Sequence, residues 1–97
     1  MNVFLDDLRD PPPGEEWIVC RTAQEAMDLV RAGRVTFISF DHDLGTELTG
    51  YDVANLIEQS VMTGAMTMPR WRIHSANPVG RKNIEAAMSN AARFAAC

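Results

Sequence analysis

The sequence predicts an α/β domain built on a parallel sheet of about four strands flanked by helices. Three observations predict it. Short apolar runs alternate with segments of helical periodicity, in the order strand, Pro-rich loop, strand, helix, strand, helix, strand, helix. The periodic segments open on residues suited to cap a helix. The run VTFISF, Val35 to Phe40, mixes β-branched and aromatic residues without strict alternation, as a central strand covered on both faces does.

Asn2 to Leu5 is a short apolar run stopped by Asp6 and Asp7, a buried strand ending on two carboxylates. Pro11, Pro12, Pro13 and Gly14 follow, which neither a helix interior nor a central strand accepts. The span from Asp6 to Glu16 is near the minimum for a crossover between parallel strands, so that connection can lack a full helix. Trp17 to Cys20 is the second strand. Thr22, with Glu25 three residues later, has the form of a capping box for a helix carrying Ala23, Ala26, Met27, Leu29 and Val30 on one face and closing at Gly33.

After the loop DHDLGTELTG, Thr49 can cap a helix in which Val53, Leu56, Ile57 and Val61 recur at helical spacing before Gly64. Trp71 to His74 is the fourth strand. Asn77 followed by Pro78 places a good N-cap residue before the proline favoured at the first helical position. The last helix runs through Ile84, Ala87, Met88 and Ala91 toward Phe94. Trp17, Trp71 and Tyr51 read as packing residues, and Met62, Met66 and Met68 as seals of the core near a loop.

The chain has 97 residues, 46% of them apolar and 23% charged, which is one ordinary globular domain over 1–97 with a thin core. Its net charge of −4 supplies no positive field, so polymeric nucleic acid and anionic membranes are excluded as partners while a small phosphorylated ligand is not. The two cysteines, Cys20 and Cys97, match neither a disulfide framework nor a metal knuckle. The acids of MNVFLDDLRD exclude a secretory signal, and no run approaches the roughly 18 apolar residues of a membrane span. The expectation is a cytoplasmic protein. The thin core leaves room for a homodimer through the apolar face of the last helix.

Ligands of parallel sheets bind beyond the carboxyl ends of the strands, and reactive residues gather there: Asp6, Asp7 and Arg9; Arg21 and Thr22; Asp41, His42 and Asp43; His74, Ser75 and Asn77. Carboxylates crowded at one edge repel one another and need a cation or raised pKa values to coexist. Asp10, beside the prolines, reads as turn chemistry. Asp41 and Asp43 point the same way, with His42 opposed, if strand geometry persists; alternatively they form an Asx turn before Gly45. Hard oxygen ligands favour magnesium or manganese over zinc. His74 is either a hydrogen-bonded core histidine or an acid-base group. The free amides near Gly80 and the guanidinium of Arg81 suit an anion, while Asn77 can be a cap alone. Gly-rich phosphate loops, nucleophile elbows and paired CxxC motifs are missing from the sequence.

The blocks LDDLRDPPP, SFDHDLG and IHSANPVGRKN together resemble the cyclic-phosphate processing receiver domain, over nearly the whole chain. More widely the chain is similar to response-regulator receivers, which implies a reduced receiver-like, flavodoxin-like sheet. In such receivers, acids after the first strand bind magnesium, an aspartate after the third accepts a phosphoryl group, and a hydroxyl residue follows the fourth. Asp6, Asp7, Asp41 and Ser75 occupy those places here. The chain departs from receivers in lacking a fifth strand with its lysine, the sole lysine being Lys82, and in adding His42, Asp43 and His74.

The resemblance implies a metal-dependent phosphoesterase that opens a cyclic phosphate on a nucleotide or nucleotide-derived metabolite. Asp6, Asp7, Asp41 and Asp43 are the metal candidates for Mg or Mn; His42, His74, Asp41 and Ser75 are the catalytic ones; Arg9, Asn77, Gly80 and Arg81 are the phosphate-binding ones. The alternative is a non-catalytic receiver-derived module that binds a phosphorylated ligand or a protein partner. A true phosphorelay receiver is disfavoured by the missing lysine.

Overall fold

In the computed structural model, which describes residues 1–96, the N-terminal apolar run forms β1 (Asn2–Leu5). It is followed by β2 (Ile18–Cys20), α1 (Ala23–Arg31), β3 (Phe37–Phe40), α2 (Gly50–Met62), β4 (Arg70–Ile73) and α3 (Pro78–Ala95). The sheet is parallel throughout, in the order β2-β1-β3-β4. The strand count follows the sequence, but the strand limits differ slightly: Val35 and Thr36 precede β3, and His74 follows β4. Cys97 lies outside the described residues, whereas the Cys20 thiol is buried, which with the nearby Glu25 raises its pKa to about 11.

The helices begin where short-range chemistry starts them. Thr22 accepts a hydrogen bond from the Glu25 amide at 3.2 Å, and the Asp52 carboxylate accepts from the Thr49 amide at 2.7 Å. Asn77 caps α3 by accepting from the Gly80 amide at 3.0 Å.

The core explains the shape of the sheet. Val3, Leu5, Cys20, Ile38 and Phe40 join Ala26 and Val30 of α1, Val53 and Ile57 of α2, and Ile84 and Met88 of α3 in one apolar cluster. Alternate strand residues point to opposite faces, so all three helices cover one face, and Phe4, Phe37 and Ser39 look toward the other. β3 is buried from both sides as expected, Ile38 and Phe40 under the helices and Ser39 on the opposite face, but the helices themselves lie on one face only. The physical reason is the short Pro-rich connection: the chain reverses direction across the sheet at β1, a right-handed crossover from β1 to β2 passes over the second face, and no helix forms there. Trp17 covers part of that face instead, edge-on to Phe4 and Phe37 at 5.7 and 5.6 Å between ring centres. Met66 and Met68 pack on the core as expected, but Met62 and Tyr51 are exposed.

The start of α2 is pressed against the end of β3. The Gly50 amide donates to the His42 carbonyl at 3.0 Å, and a Cβ on Gly50 would fall on the main-chain oxygen of Asp41. Main chain cannot swing aside as a flexible side chain does. Gly50→Ala is expected to cost about 3 kcal/mol, the upper end of overpacking penalties, and so to lower the melting temperature by roughly 10–20 °C. Alanine's better helix propensity is worth about 1 kcal/mol in the other direction, so unchanged urea denaturation would show that the approach is soft.

Candidate functional site

Strands β1 and β3 are neighbours, yet the chain leaves β1 toward one edge and β3 toward the other. The two connections diverge and open a crevice beyond the carboxyl ends of these strands. Asp6 and Asp7 follow β1 and Asp41 follows β3, so strand register places all three at the crevice; the Asp41 amide on the Leu5 carbonyl, 2.9 Å, extends the pairing to its edge.

Asp6 is buried. Its Oδ1 accepts from the amides of Leu8 at 2.9 Å and Arg9 at 2.8 Å, and its Oδ2 accepts from His74 Nε2 at 3.0 Å. Burial alone would raise the Asp6 pKa, but the bonds from Arg9, Leu8 and His74 outweigh it and hold the group below its ordinary value of 3.8. Asp41 is also buried, and its Oδ1 accepts from the His42 amide at 2.8 Å. Asp6 thus forms a local turn, and both acids line the crevice.

One oxygen from each of Asp6, Asp7 and Asp41 lies within 4.8 Å of the other two. Three hard, anionic donors at that separation suit a divalent cation such as magnesium or manganese, and without one they repel. The Arg9 guanidinium is the cationic neighbour, its Nε 3.8 Å from Asp6 Oδ2 on a largely exposed side chain. The crevice is a cavity of about 400 Å³ lined by Asp6, Asp7, Arg9, Asp41, Asp43, Ser75 and Asn77, with Leu8, Gly45 and Ala76 completing the wall.

The other predicted residues are distributed around it. Asp43 lines the cavity but stands outside the three-acid group; its Oδ1 pairs with His42 Nδ1 at 3.0 Å, and both oxygens accept from Asn77 Nδ2 at 3.3 Å. The bonds from His42 and Asn77 lower its pKa. The strand ends at Phe40, so Asp41 and Asp43 do not share the continuous strand face on which their joint capture of a metal was expected. His42 turns from the cavity to rest on Gly80, where any Cβ would strike the imidazole ring. The Gly80 amide is occupied by the Asn77 cap and is not directed at an anion in this structure.

Arg81 Nη1 donates to the carbonyls of Ile73 and Ser75, both at 3.1 Å, and braces the turn between β4 and α3. Ser75 is buried and its Oγ accepts from the Asn77 amide at 3.2 Å. His74 lies behind Asp6, both ring nitrogens engaged: Nε2 with Asp6 and Nδ1 with Ser39 Oγ at 2.7 Å. Burial lowers its pKa below the ordinary 6.5 against the opposing pull of Asp6. Asp10 receives Arg21 Nη2 at 2.7 Å, and Arg21 Nη1 reaches the carbonyls of Asp6 and Arg9, clamping the Pro-rich loop under the site.

Ser39 and Arg72 were not singled out by the sequence. The signal was present in Ser39, a lone hydroxyl inside the apolar run VTFISF, but its partners are 33 and 35 residues away.

No curated protein and no solved structure gives a significant match to the chain. A family does. Residues 1–90 match the cyclic-phosphate processing receiver domain, a span that takes in all four strands, the three acids and most of α3. With a reduced receiver-like sheet and acids at its switch point, the chain belongs to the cyclic-phosphate processing receiver domain family.

Proposed function

We propose that this domain is a metal-dependent phosphoesterase that processes a cyclic phosphate on a nucleotide or nucleotide-derived metabolite. The gathering of Asp6, Asp7 and Asp41 at the mouth of the cavity is the observation that carries the reading. These carboxylates would hold magnesium or manganese, which when bound would polarise a phosphoryl oxygen and lower the pKa of water.

The remaining work falls to the chain's own side chains. Arg9, on the cavity wall and largely exposed, is free to turn its guanidinium toward the phosphate oxygens. Asp43 borders the cavity, where its carboxylate can accept a hydrogen bond from water and orient it, and His42, on its Oδ1, holds Asp43 in place. Asn77 steadies Asp43 from α3, and Arg81 acts through the Ser75 turn rather than on phosphate. The net charge of −4 favours a small ligand over a polyanion.

One observation favours a second reading, a module that binds a phosphorylated ligand without turnover. Neither histidine lines the cavity, and His74 has both ring nitrogens committed. Phosphorus NMR decides between them. Incubation with 2′,3′-cyclic and 3′,5′-cyclic nucleotides and with ADP-ribose cyclic phosphate is expected to show ring opening in magnesium or manganese, abolished by EDTA. Rings that stay closed while a ligand signal shifts or broadens would replace the enzyme by the binding module.

A further inference from the structure

Ser39 lies in β3 with no exposed surface, its side chain on the face that carries no helix. A buried hydroxyl needs partners, and this one has two: Arg72 Nε at 3.1 Å and His74 Nδ1 at 2.7 Å. A guanidinium nitrogen only donates, so Arg72 takes one lone pair of the hydroxyl and leaves its proton available to a neutral His74 at Nδ1. That nitrogen then accepts, which puts the ring proton on Nε2, aimed at Asp6 Oδ2 3.0 Å away. An ionised carboxylate only accepts, so donor and acceptor directions agree along the whole path from Arg72 to Asp6.

Each member is also held in place by packing. The Arg72 guanidinium lies 5.5 Å from the centre of the Trp17 ring and 5.9 Å from that of Phe37. The His74 ring stacks on Phe4 at 4.6 Å with 3° between the planes. Arg72, on the face without helices, therefore reaches the most buried acid of the cluster through three hydrogen bonds and one ring.

We propose that Ser39, held by Arg72, is a positioning residue: it fixes His74 with Nε2–H toward Asp6 and thereby sets the affinity of the Asp6, Asp7 and Asp41 cluster for a divalent cation. This rests on the metal function proposed above. Partners of this kind behind a metal ligand typically change affinity by about 10- to 100-fold when removed.

The test has two separate readouts. Nitrogen-15 NMR of the metal-free protein is expected to show His74 with Nε2 protonated and Nδ1 accepting a hydrogen bond, the Nδ1 signal moving toward that of an unbonded nitrogen in Ser39→Ala. A protonated Nδ1 in the wild type would reverse the path and overturn the proposal. Manganese titration by electron paramagnetic resonance is expected to show binding weakened about tenfold in Ser39→Ala, with recovery in Ser39→Thr, which keeps the hydroxyl.

Arg72→Ala supplies the sign that decides. Removing a positive charge should by simple electrostatics tighten a cation site, whereas loss of the path weakens it. Arg70→Ala, on the same face and over Phe37 at 5.4 Å but off the path, is the control and is expected not to weaken binding. Tighter manganese binding in Arg72→Ala, or unchanged binding in a folded Ser39→Ala protein, would overturn the role. A wild type that binds no manganese at all would remove the metal function itself, while the NMR result would still report on the hydrogen-bond path.

Discussion

Replacing Asp41 by asparagine is expected to raise the melting temperature of the metal-free protein by about 5 °C and to abolish the further rise that magnesium is expected to give the wild type. The first effect follows from charge. Asp6, Asp7 and Asp41 bring one oxygen each within 4.8 Å, and unit charges near 4 Å repel by about 4 kcal/mol at an effective dielectric constant of 20. Solvent at this open crevice screens most of that, which leaves on the order of 1 kcal/mol, or about 4–8 °C for a domain of this size.

Asparagine keeps the shape and leaves the acceptor for the His42 amide intact, so little is lost against that gain. The second effect follows from losing one of three anionic donors. Magnesium at a hundred times its dissociation constant would stabilise the wild type by about 2.7 kcal/mol, and this increment should vanish in Asp41→Asn. Calorimetry in EDTA and in magnesium checks both. A variant that melts lower than the wild type in EDTA would mean that the Asp41 charge is a structural acceptor rather than a strained ligand.

Asp6→Asn is expected to do the reverse and lower stability by about 2–3 kcal/mol, although it removes a charge from the same cluster. The difference lies in the partners. An asparagine oxygen can still accept from the Leu8 and Arg9 amides, but its NH₂ would then face His74 Nε2–H, donor against donor in a buried place. Losing a bond to a charged acceptor and leaving a buried donor unpaired outweighs the roughly 1 kcal/mol of relieved repulsion.

The pH dependence has a definite sign. The hydrogen bonds hold the Asp6 pKa below 3.8 in the folded state, so the unfolded chain binds this proton first as pH falls. The stability that Asp6 contributes is fully present above the unfolded value and is lost as pH drops through the folded one. Urea denaturation in EDTA should therefore show the gap between wild type and Asp6→Asn widest near neutrality and closing below about pH 4. A gap of constant size down to pH 3 would show that the carboxylate charge at Asp6 contributes nothing to it.

These two aspartates show where sequence reasoning reaches and where it stops. Both stand directly after an apolar run, and that alone puts them at the carboxyl edge of the sheet. What distinguishes them is the company they keep: His74 is 68 residues from Asp6, and no pattern within a strand announces that pairing. The same holds for Asp43 and the histidines. Their place at or just past strand ends was legible, although His74 was read into its strand rather than after it, but the direction of a side chain in an irregular loop depends on what packs behind it, here Gly80 against the His42 ring.

By itself, the sequence determined what short-range chemistry can determine: the α/β order, the caps at Thr22 and Asn77 with Pro78, the apolar faces of the helices, and the delivery of Asp6, Asp7 and Asp41 to strand ends. Only the tertiary structure decided that all three helices share one face, that Gly50 and Gly80 are required by close approach, and that Ser39 and Arg72 stand behind Asp6. The physical reason is that hydrogen-bond direction and steric contact belong to pairs of residues, and here the pairs are closed by β-sheet register across most of the chain.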